Sequence, residues 1–191
     1  MKFTKIPETT FKELQLNAGV LVKNFDPATA TVSKSDIIGA TSGGVHFSAV
    51  PSFIDFGEDI DNCPKNTKEL KEVDEWEIMM RGTFKTVTAA SVKQMLAAAD
   101  VDETKITPRN HLEDEDFTDM WWVGDYSDKN DEANGGYMAI HMLNTLSTGG
   151  FDIQTGDGEK GDFAFEFMAH YSIDDTDAVP FEVYVKAGTA A

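Results

Sequence analysis

The feature that most constrains the fold of this chain is the alternation of an apolar and a mainly polar set of side chains across residues 76–88. The apolar positions are Trp76, Ile78, Met80, Gly82 and Phe84, and the intervening ones are Glu77, Met79, Arg81, Thr83 and Lys85. Because successive side chains of a β-strand point to opposite faces, a period of two predicts a strand with one face on a core. The other face is mixed in charge, and we expect it to meet water or a partner.

Similar alternating or apolar runs predict that most of the chain is built from strands. The predicted strands are residues 13–24, 37–42, 45–49, 76–88, 120–123, 137–146, 151–155, 162–173 and 181–185. The Gly43-Gly44 pair is expected to end the short strand at residues 37–42, and Pro51 to end the next strand or confine it to an edge. Residues 137–146 are apolar on both faces, which is typical of a central strand covered on both sides.

One helix is predicted, over residues 89–99. Val92, Met95, Leu96 and Ala99 follow the i, i+3, i+4, i+7 spacing of a helix face, and Thr88 precedes them as a candidate N-cap. The apolar stripe is narrow, so we expect the helix to lie across a sheet.

The organisation predicted from these elements is a single domain over residues 1–191, with an N-terminal arm at residues 1–11 and a short tail at residues 187–191. Residues 52–75 are charged and predict a long inserted loop, and a connection of that length usually has a function. Since most strand connections hold no helix, the predicted fold class is mainly β, an antiparallel sandwich or barrel-like domain with one packed helix.

Charge limits the classes of function. The chain has 34 acidic and 16 basic residues, a formal net charge of −18. Such a surface repels phosphate backbones and anionic lipid, so DNA binding by charge neutralisation is not expected. A surface that serves solubility is the plain alternative. Cys63 is the only cysteine, which excludes an internal disulfide. Neither a signal peptide nor a membrane span is predicted, and we expect synthesis in the cytoplasm.

Two motifs invite a ligand-binding interpretation. Gly156, Gly158 and Gly161 match G-x-G-x-x-G, but a dinucleotide site needs a helix after the motif, and here a predicted strand follows. A hairpin turn is therefore favoured. Residues 130–135 resemble part of a calcium loop, yet the loop begins with Asn130, and His141 stands where the bidentate Glu belongs. A solvated loop is favoured there.

The remaining candidates for chemistry are dispersed. The acidic runs at residues 55–61 and 113–116 are interpreted as solvated faces, with oxygen ligation of a hard cation or an assembly surface as alternatives. The four histidines are His46, His111, His141 and His170, and no two have metal-ligand spacing. Cys63 has no histidine near it in sequence, and no nucleophile elbow is present. We therefore predict no catalytic, cofactor-binding or metal-binding residue, and no enzyme.

Four stretches resemble major tail tube proteins of long-tailed, siphovirus-type bacteriophages. They are FKELQLNAGVLV at residues 11–22, IGATSGGVHF at residues 38–47, DFGEDIDN at residues 55–62 and EIMMRGTF at residues 77–84. The likeness extends over most of the chain in length and element order. The family has no catalytic signature to match, so these four stretches are not specific markers of it.

The resemblance implies a β-sandwich or barrel-like subunit that forms six-membered rings, which stack into a tube around a channel for genomic DNA. Residues 52–75 would then reach a neighbouring subunit or ring, and residues 1–11 and 186–191 would add contacts between rings. The implied partners are further copies of the chain, the tape measure and tail terminator proteins, and DNA that passes without specific binding. The implied location is the virion tail, and the length of the chain favours a non-contractile one.

Two rival functions are kept. One is a calcium-dependent β-sandwich that binds carbohydrate or a cell-surface ligand, motivated by the acidic loops and by Trp121 and Trp122 as candidate exposed aromatics. The other is a hydrolase whose site is assembled from distant strands, motivated by the histidines alone.

Overall fold

The computed structural model describes residues 5–126 and 135–188, and within them nine β-strands and one α-helix are formed. The strands are β1 (Val20–Val22), β2 (Thr41–Asp55), β3 (Lys71–Phe84), β4 (Ala99–Asp102), β5 (Lys105–Pro108), β6 (Thr118–Tyr126), β7 (Gly136–Ser147), β8 (Phe163–Met168) and β9 (Phe181–Lys186). The α-helix, α1, spans Ala89–Leu96, and short 3-10 helices lie at Thr10–Lys12, Lys34–Asp36, Lys68–Leu70 and Asp114–Asp116. The predicted class, mainly β and antiparallel with one packed helix, is confirmed.

A seven-stranded sheet has the order β1-β6-β7-β8-β3-β2, with β9 added on β7. The long strand β7 divides it into two layers. Residues 137–142 of β7 pair with β9 on one edge and with β6 on the other, whereas Leu146 and Ser147 at its end pair with β8. One layer therefore holds β1, β6, β7 and β9, and the other holds β2, β3 and β8. The hairpin of β4 and β5 is a separate small sheet.

The core lies between these two layers. Its buried side chains are Leu21, Ile38, Ile78, Met80, Phe84, Met95, Met120, Trp122, Ile140, Met142, Phe165, Phe167 and Ala169. The rings of Phe84 and Phe165 stack with centroids 4.3 Å apart. Burying a side chain of this size contributes about 1.5–3 kcal/mol, so the apolar face predicted for residues 76–84 is what fixes β3 in place.

The outer face of the first layer is also buried. Val22, Phe25, Trp121, Val123, Tyr137 and Ala139 form a second cluster there. The segment after β1 covers it, since the Tyr137 hydroxyl donates a hydrogen bond of 2.7 Å to the carbonyl oxygen of Pro27. The prediction that residues 137–146 are covered on both faces is confirmed.

The helix begins where it was predicted and ends earlier than expected. The Thr88 hydroxyl accepts a hydrogen bond of 3.2 Å from the Ser91 amide, and the Ser91 hydroxyl accepts one of 2.8 Å from the Thr88 amide. This reciprocal pair satisfies amides that the first helical turn leaves free. Ala97, with φ of +63°, ends the helix. Ala99, which was predicted to lie on the apolar face of the helix, is instead a buried residue of β4.

The predicted break at Gly43-Gly44 is wrong, whereas of the two outcomes predicted for Pro51, the position on an edge strand is confirmed. β2 continues through both. Gly43 and Gly44 have φ of +78° and +84° and form a bulge in the pairing with β3, which lets the strand bend without ending. Pro51 is tolerated because β2 lies at the edge of the sheet, where a missing amide costs little.

The predicted loop over residues 52–75 is also corrected. Residues 52–55 belong to β2 and residues 71–75 to β3, so only residues 56–70 connect the two strands. The strands here run beyond the core, and side chains on both faces are exposed. Without a buried face there is no alternation for a sequence pattern to show.

Other predicted strand boundaries also differ from the structure. Of residues 37–42 only the last two belong to β2, β3 ends at residue 84 and not at 88, and β8 ends at residue 168 and not at 173. Of residues 13–24 only Val20–Val22 is a strand, and residues 151–155 keep only a single bridge, from Gln154 to Asp162. Residues 100–119, where no strand was predicted, contain most of β4 and β5. Gly19 explains the short β1, because its φ of +67° interrupts the extended backbone.

Candidate assembly surface

The outer edge of β2 has unusual chemistry for an exposed strand. β2 pairs with β3 on one side and ends the sheet on the other, as far as the described strands go. Residues 41–54 contain no Asp, Glu, Lys or Arg, although 26% of the chain is charged. Edge strands of monomeric proteins are normally guarded by charges, above all by lysine. An uncharged edge of this length is suited to pairing with a strand from another chain.

The regular part of this edge is residues 45–51. Over that stretch β2 stays in register with β3, whereas Gly43-Gly44 interrupts the pairing before it and a second irregularity follows Pro51. An incoming strand therefore finds a short, straight ladder of backbone donors and acceptors there.

Beyond that ladder β2 and β3 continue as a two-stranded arm, here defined as residues 50–76. Its exposed large apolar side chains are Val50, Phe53, Ile54, Phe56, Ile60 and Val73, each at least 39% exposed. Phe53 lies directly opposite Val73 across the ribbon. Since a lone two-stranded ribbon is marginally stable in water, apolar groups displayed on one indicate a surface that becomes covered.

The far end of the arm has an ordered turn. The Asp55 carboxylate accepts hydrogen bonds from the amides of Asn66, at 2.8 Å, and Gly57, at 3.0 Å. The bond from Asn66, followed by that from Gly57, holds the pKa of Asp55 below its usual value. The amide of Phe56 also donates to the carbonyl of Leu70 at 2.9 Å. Asp55, the first residue of the acidic run at residues 55–61, therefore has a structural role in this turn.

The base of the arm is tied to the sandwich by aromatic side chains. The Trp76 amide donates a hydrogen bond of 2.9 Å to the Tyr171 hydroxyl. Trp76 and Phe47 each lie with ring centroids 5.7 Å from that of Phe181. The arm consequently leaves the body of the protein from a fixed point.

On the outer face of the second layer, the basic side chains of Arg81 and Lys85 are ion-paired. Arg81 lies between His46 on β2 and Glu166 on β8 in register, and its Nε is 2.6 Å from Glu166 Oε2. Lys85 is paired with Asp162. Arg81 on β3 and Lys85 directly after it are thus ion-paired, which reduces what this face offers to a phosphate.

The second acidic run, at residues 113–116, supports the fold. The side chain of Asp116 is fully buried, and its two oxygens accept hydrogen bonds of 2.7 and 2.9 Å from Arg109 Nη2. Asp100 lies 2.9 Å from Arg109 Nε. Burial alone raises the pKa of Asp116, but the Glu113 amide and the Arg109 guanidinium outweigh it and hold that pKa below the usual value.

The glycine motif lies in a turn. Residues 156–161 connect the two halves of the bridge between Gln154 and Asp162, Gly158 has φ of +73°, and β8 begins at Phe163. Strand rather than helix follows, as the sequence predicted. Of the calcium-like loop, residues 130–134 lie outside the described residues. In the part of the chain that is described, no group of three His, Cys, Asp or Glu side chains is placed to hold a metal ion.

The histidines are separated in the fold. His46 and His111 are exposed, whereas His141 stacks on Trp121 and His170 packs edge-on to Phe117. Cys63 lies in the connection of the arm, with Sγ 3.7 Å from Thr67 Oγ1.

The two tryptophans that motivated a carbohydrate-binding interpretation are not exposed. Trp121 is 7% and Trp122 9% exposed, and the Trp122 indole donates a hydrogen bond of 2.9 Å to the Ala18 carbonyl. They are core residues of the first layer, so neither is a stacking platform for a sugar.

Comparisons with known proteins identify no relative. No protein-family model matches the chain, and no curated protein matches its sequence. Over residues 5–126 and 135–188 no helix is both long and apolar enough to cross a membrane. The class defined by the fold and its surface is an antiparallel β-sandwich with an uncharged open edge and an apolar arm.

The open edge of β2 was not predicted, although the sequence contains a signal for it. The absence of charge from residue 41 to residue 54 is plain in the sequence. Because Gly43-Gly44 and Pro51 led to the prediction of separate short elements, these uncharged residues were not recognised as one edge strand.

Proposed function

We propose that this chain is a tail tube subunit of a long-tailed bacteriophage, a structural protein whose copies associate into rings that stack into a tube. The observation that carries the proposal is the uncharged edge of β2, which offers its backbone to another strand. The sequence resemblance to tail tube proteins supports the particular assembly, including rings of six.

Two different surfaces on one subunit suit such an assembly. The edge at residues 45–51 offers backbone donors and acceptors, whereas the arm that follows it displays exposed apolar side chains, and both lie at one end of the sheet order. Contacts between unlike patches generate closed rings or open filaments, and a stacked tube contains both. Joining strand edges between copies also removes the exposed edges that a lone β-protein must protect.

The charge of the subunit suits a conduit for DNA. A net charge of −18 repels phosphates, and Arg81 and Lys85 are each paired with a carboxylate. Genomic DNA would pass such a wall without binding it. The tape measure and tail terminator proteins are the further partners proposed, and the virion tail is the proposed location.

Negative-stain microscopy and sedimentation velocity over a wide range of protein concentration test the proposal. We expect rings or tubes that increase with concentration. Ser48→Lys places a charge on the β2 ladder and should reduce assembly, whereas Thr104→Lys adds the same charge at an exposed turn distant from β2 in sequence and should not. A monomer at every concentration would exclude the tail tube assignment.

A further inference from the structure

The uncharged edge of β2 contains one ionisable side chain. His46 is the only titratable residue from residue 41 to residue 54. It is exposed, and it lies within the regular ladder at residues 45–51. Imidazoles are the side chains that ordinarily gain a proton between about pH 8 and pH 5.

The residues paired with His46 across the sheet carry one positive and one negative charge. Arg81 on β3 lies directly opposite, and Glu166 on β8 is already engaged by Arg81 at 2.6 Å. Nearby along the chain, Glu77 lies opposite Val50, and Lys85, directly after β3, is paired with Asp162. The row of His46, Arg81 and Glu166 is neutral when the imidazole is neutral, and gains an unbalanced positive charge when it is protonated.

We propose that His46 makes the pairing edge of β2 dependent on pH. With a neutral imidazole the edge accepts a strand of a second copy of the chain, and with a protonated imidazole it does not. The physical reason is that like charges opposite one another destabilise a sheet, and that a charge on an edge strand opposes pairing with another chain. This inference rests on the proposed function, since it concerns the same edge.

A general effect of pH acts in the opposite direction. As the pH falls, the net negative charge of each copy decreases, and weaker repulsion between copies favours association. The contribution of His46 is therefore the difference between the wild type and His46→Gln at the same pH. Glutamine keeps a polar side chain of similar length and does not titrate.

The experiment is sedimentation velocity on the full chain at about pH 8 and about pH 6, with wild type, His46→Gln, His46→Lys and His111→Gln compared. At the higher pH the wild type and His46→Gln should associate at the same concentration. At the lower pH the wild type should need roughly tenfold more protein than His46→Gln. His46→Lys should associate poorly at both, and His111→Gln, which alters another exposed histidine, should follow the wild type. Thermal melting checks that each variant folds.

Different results overturn different statements. Association of the wild type and His46→Gln at equal concentrations at about pH 6 would overturn the role of His46 and leave the proposed function standing. A wild type that stays monomeric at both pH values would overturn the proposed function, and the inference with it. The effect is assigned to His46 if, at about pH 6, the wild type and His111→Gln both need the same higher protein concentration to associate than His46→Gln does.

Discussion

The indole of Trp121 and the imidazole of His141 stack face to face, with ring centroids 3.9 Å apart and planes 7° from parallel. They face each other across the pairing of β6 and β7. Two carboxylates flank the imidazole, with Asp119 Oδ2 3.4 Å from Nε2 and Glu182 Oε2 3.7 Å from Nδ1. One histidine on a central strand thereby touches groups on β6 and on the edge strand β9.

Removing this ring should destabilise the first layer. His141→Ala loses the stack on Trp121 and uncovers the indole, so we expect a loss of about 1–2 kcal/mol in the free energy of unfolding. Urea denaturation followed by tryptophan fluorescence measures it, and the native emission should also change. His111→Ala, at an exposed loop position, should stay within about 0.5 kcal/mol of the wild type. Equal effects of the two variants would contradict a structural role for the stack.

Asp116→Asn should be among the most destabilising single changes. It leaves the guanidinium of Arg109, which is 9% exposed, without its buried partner. Arg109 keeps Asp100 as a partner, so the expected cost is that of losing hydrogen bonds to a charged group, about 1.5–3 kcal/mol. Asp114→Asn alters an exposed neighbour in the same acidic run and should cost less than about 0.5 kcal/mol. Thermal and urea unfolding of both variants test the comparison.

The same carboxylate predicts a dependence of stability on pH. The pKa of Asp116 is lower in the folded protein than its ordinary value of 3.8. The folded state therefore binds this proton less tightly than the unfolded state does. Its contribution is fully present above the ordinary value and is lost as the pH falls through the lower folded value. Stability measured downward from about pH 5 should fall more steeply for the wild type than for Asp116→Asn. Parallel curves would exclude this contribution.

Substitutions at Gly19 and Gly150 allow the cost of backbone strain to be distinguished from the cost of a steric clash. A Cβ at Gly19 would lie 2.6 Å from the Trp122 ring, whereas one at Gly150 would have nothing within 4 Å, and φ is +67° and +72° respectively. Gly150→Ala should therefore cost only the strain of a left-handed backbone, about 1 kcal/mol. Gly19→Ala should add about 1–3 kcal/mol for the displaced indole. Urea denaturation of both should show the larger loss at Gly19, and equal losses would contradict the close approach.

The order of the arm should depend on Asp55. Asp55→Asn weakens the acceptor that holds the amides of Gly57 and Asn66, so the connection between β2 and β3 should open more often. We expect faster proteolysis and amide exchange at residues 56–70 with an unchanged melting temperature, because this end of the arm contributes little to the core. Asp61→Asn, in the same connection, is the matched control. Slow exchange in both variants would show that the turn is held by other contacts.

The apolar surface of the arm should matter for association and not for folding. Phe53→Ser removes a ring that is 53% exposed, and Ile173→Ser removes a side chain that is 93% exposed on another loop. If the arm contacts a second copy, only the first change should raise the concentration at which sedimentation velocity detects assembly. Neither should lower the melting temperature by more than a few degrees. Equal assembly of both variants and the wild type would exclude the arm from the interface.

Much of the core could be predicted from local pattern. Residues 76–84, 120–123 and 137–146 were placed correctly because each has at least one face buried, and burial imposes a period that the sequence must show. The errors lie where burial is absent. The distal half of β2 and the start of β3 are strands held by each other alone, so their side chains follow no period.

The sequence by itself determined the class of fold, the helix start at Thr88, the apolar face of β3 and the absence of an internal disulfide, since each depends on residue type and local spacing. Only the tertiary structure decided that residues 41–54 form one open edge, that Trp121 and Trp122 are buried, and that Asp116 is paired with Arg109. These depend on which strands lie side by side, and that is set by packing between residues far apart in the chain. The absence of charge from residues 41–54 could be read from the sequence, but the position of β2 at the edge of the sheet could not.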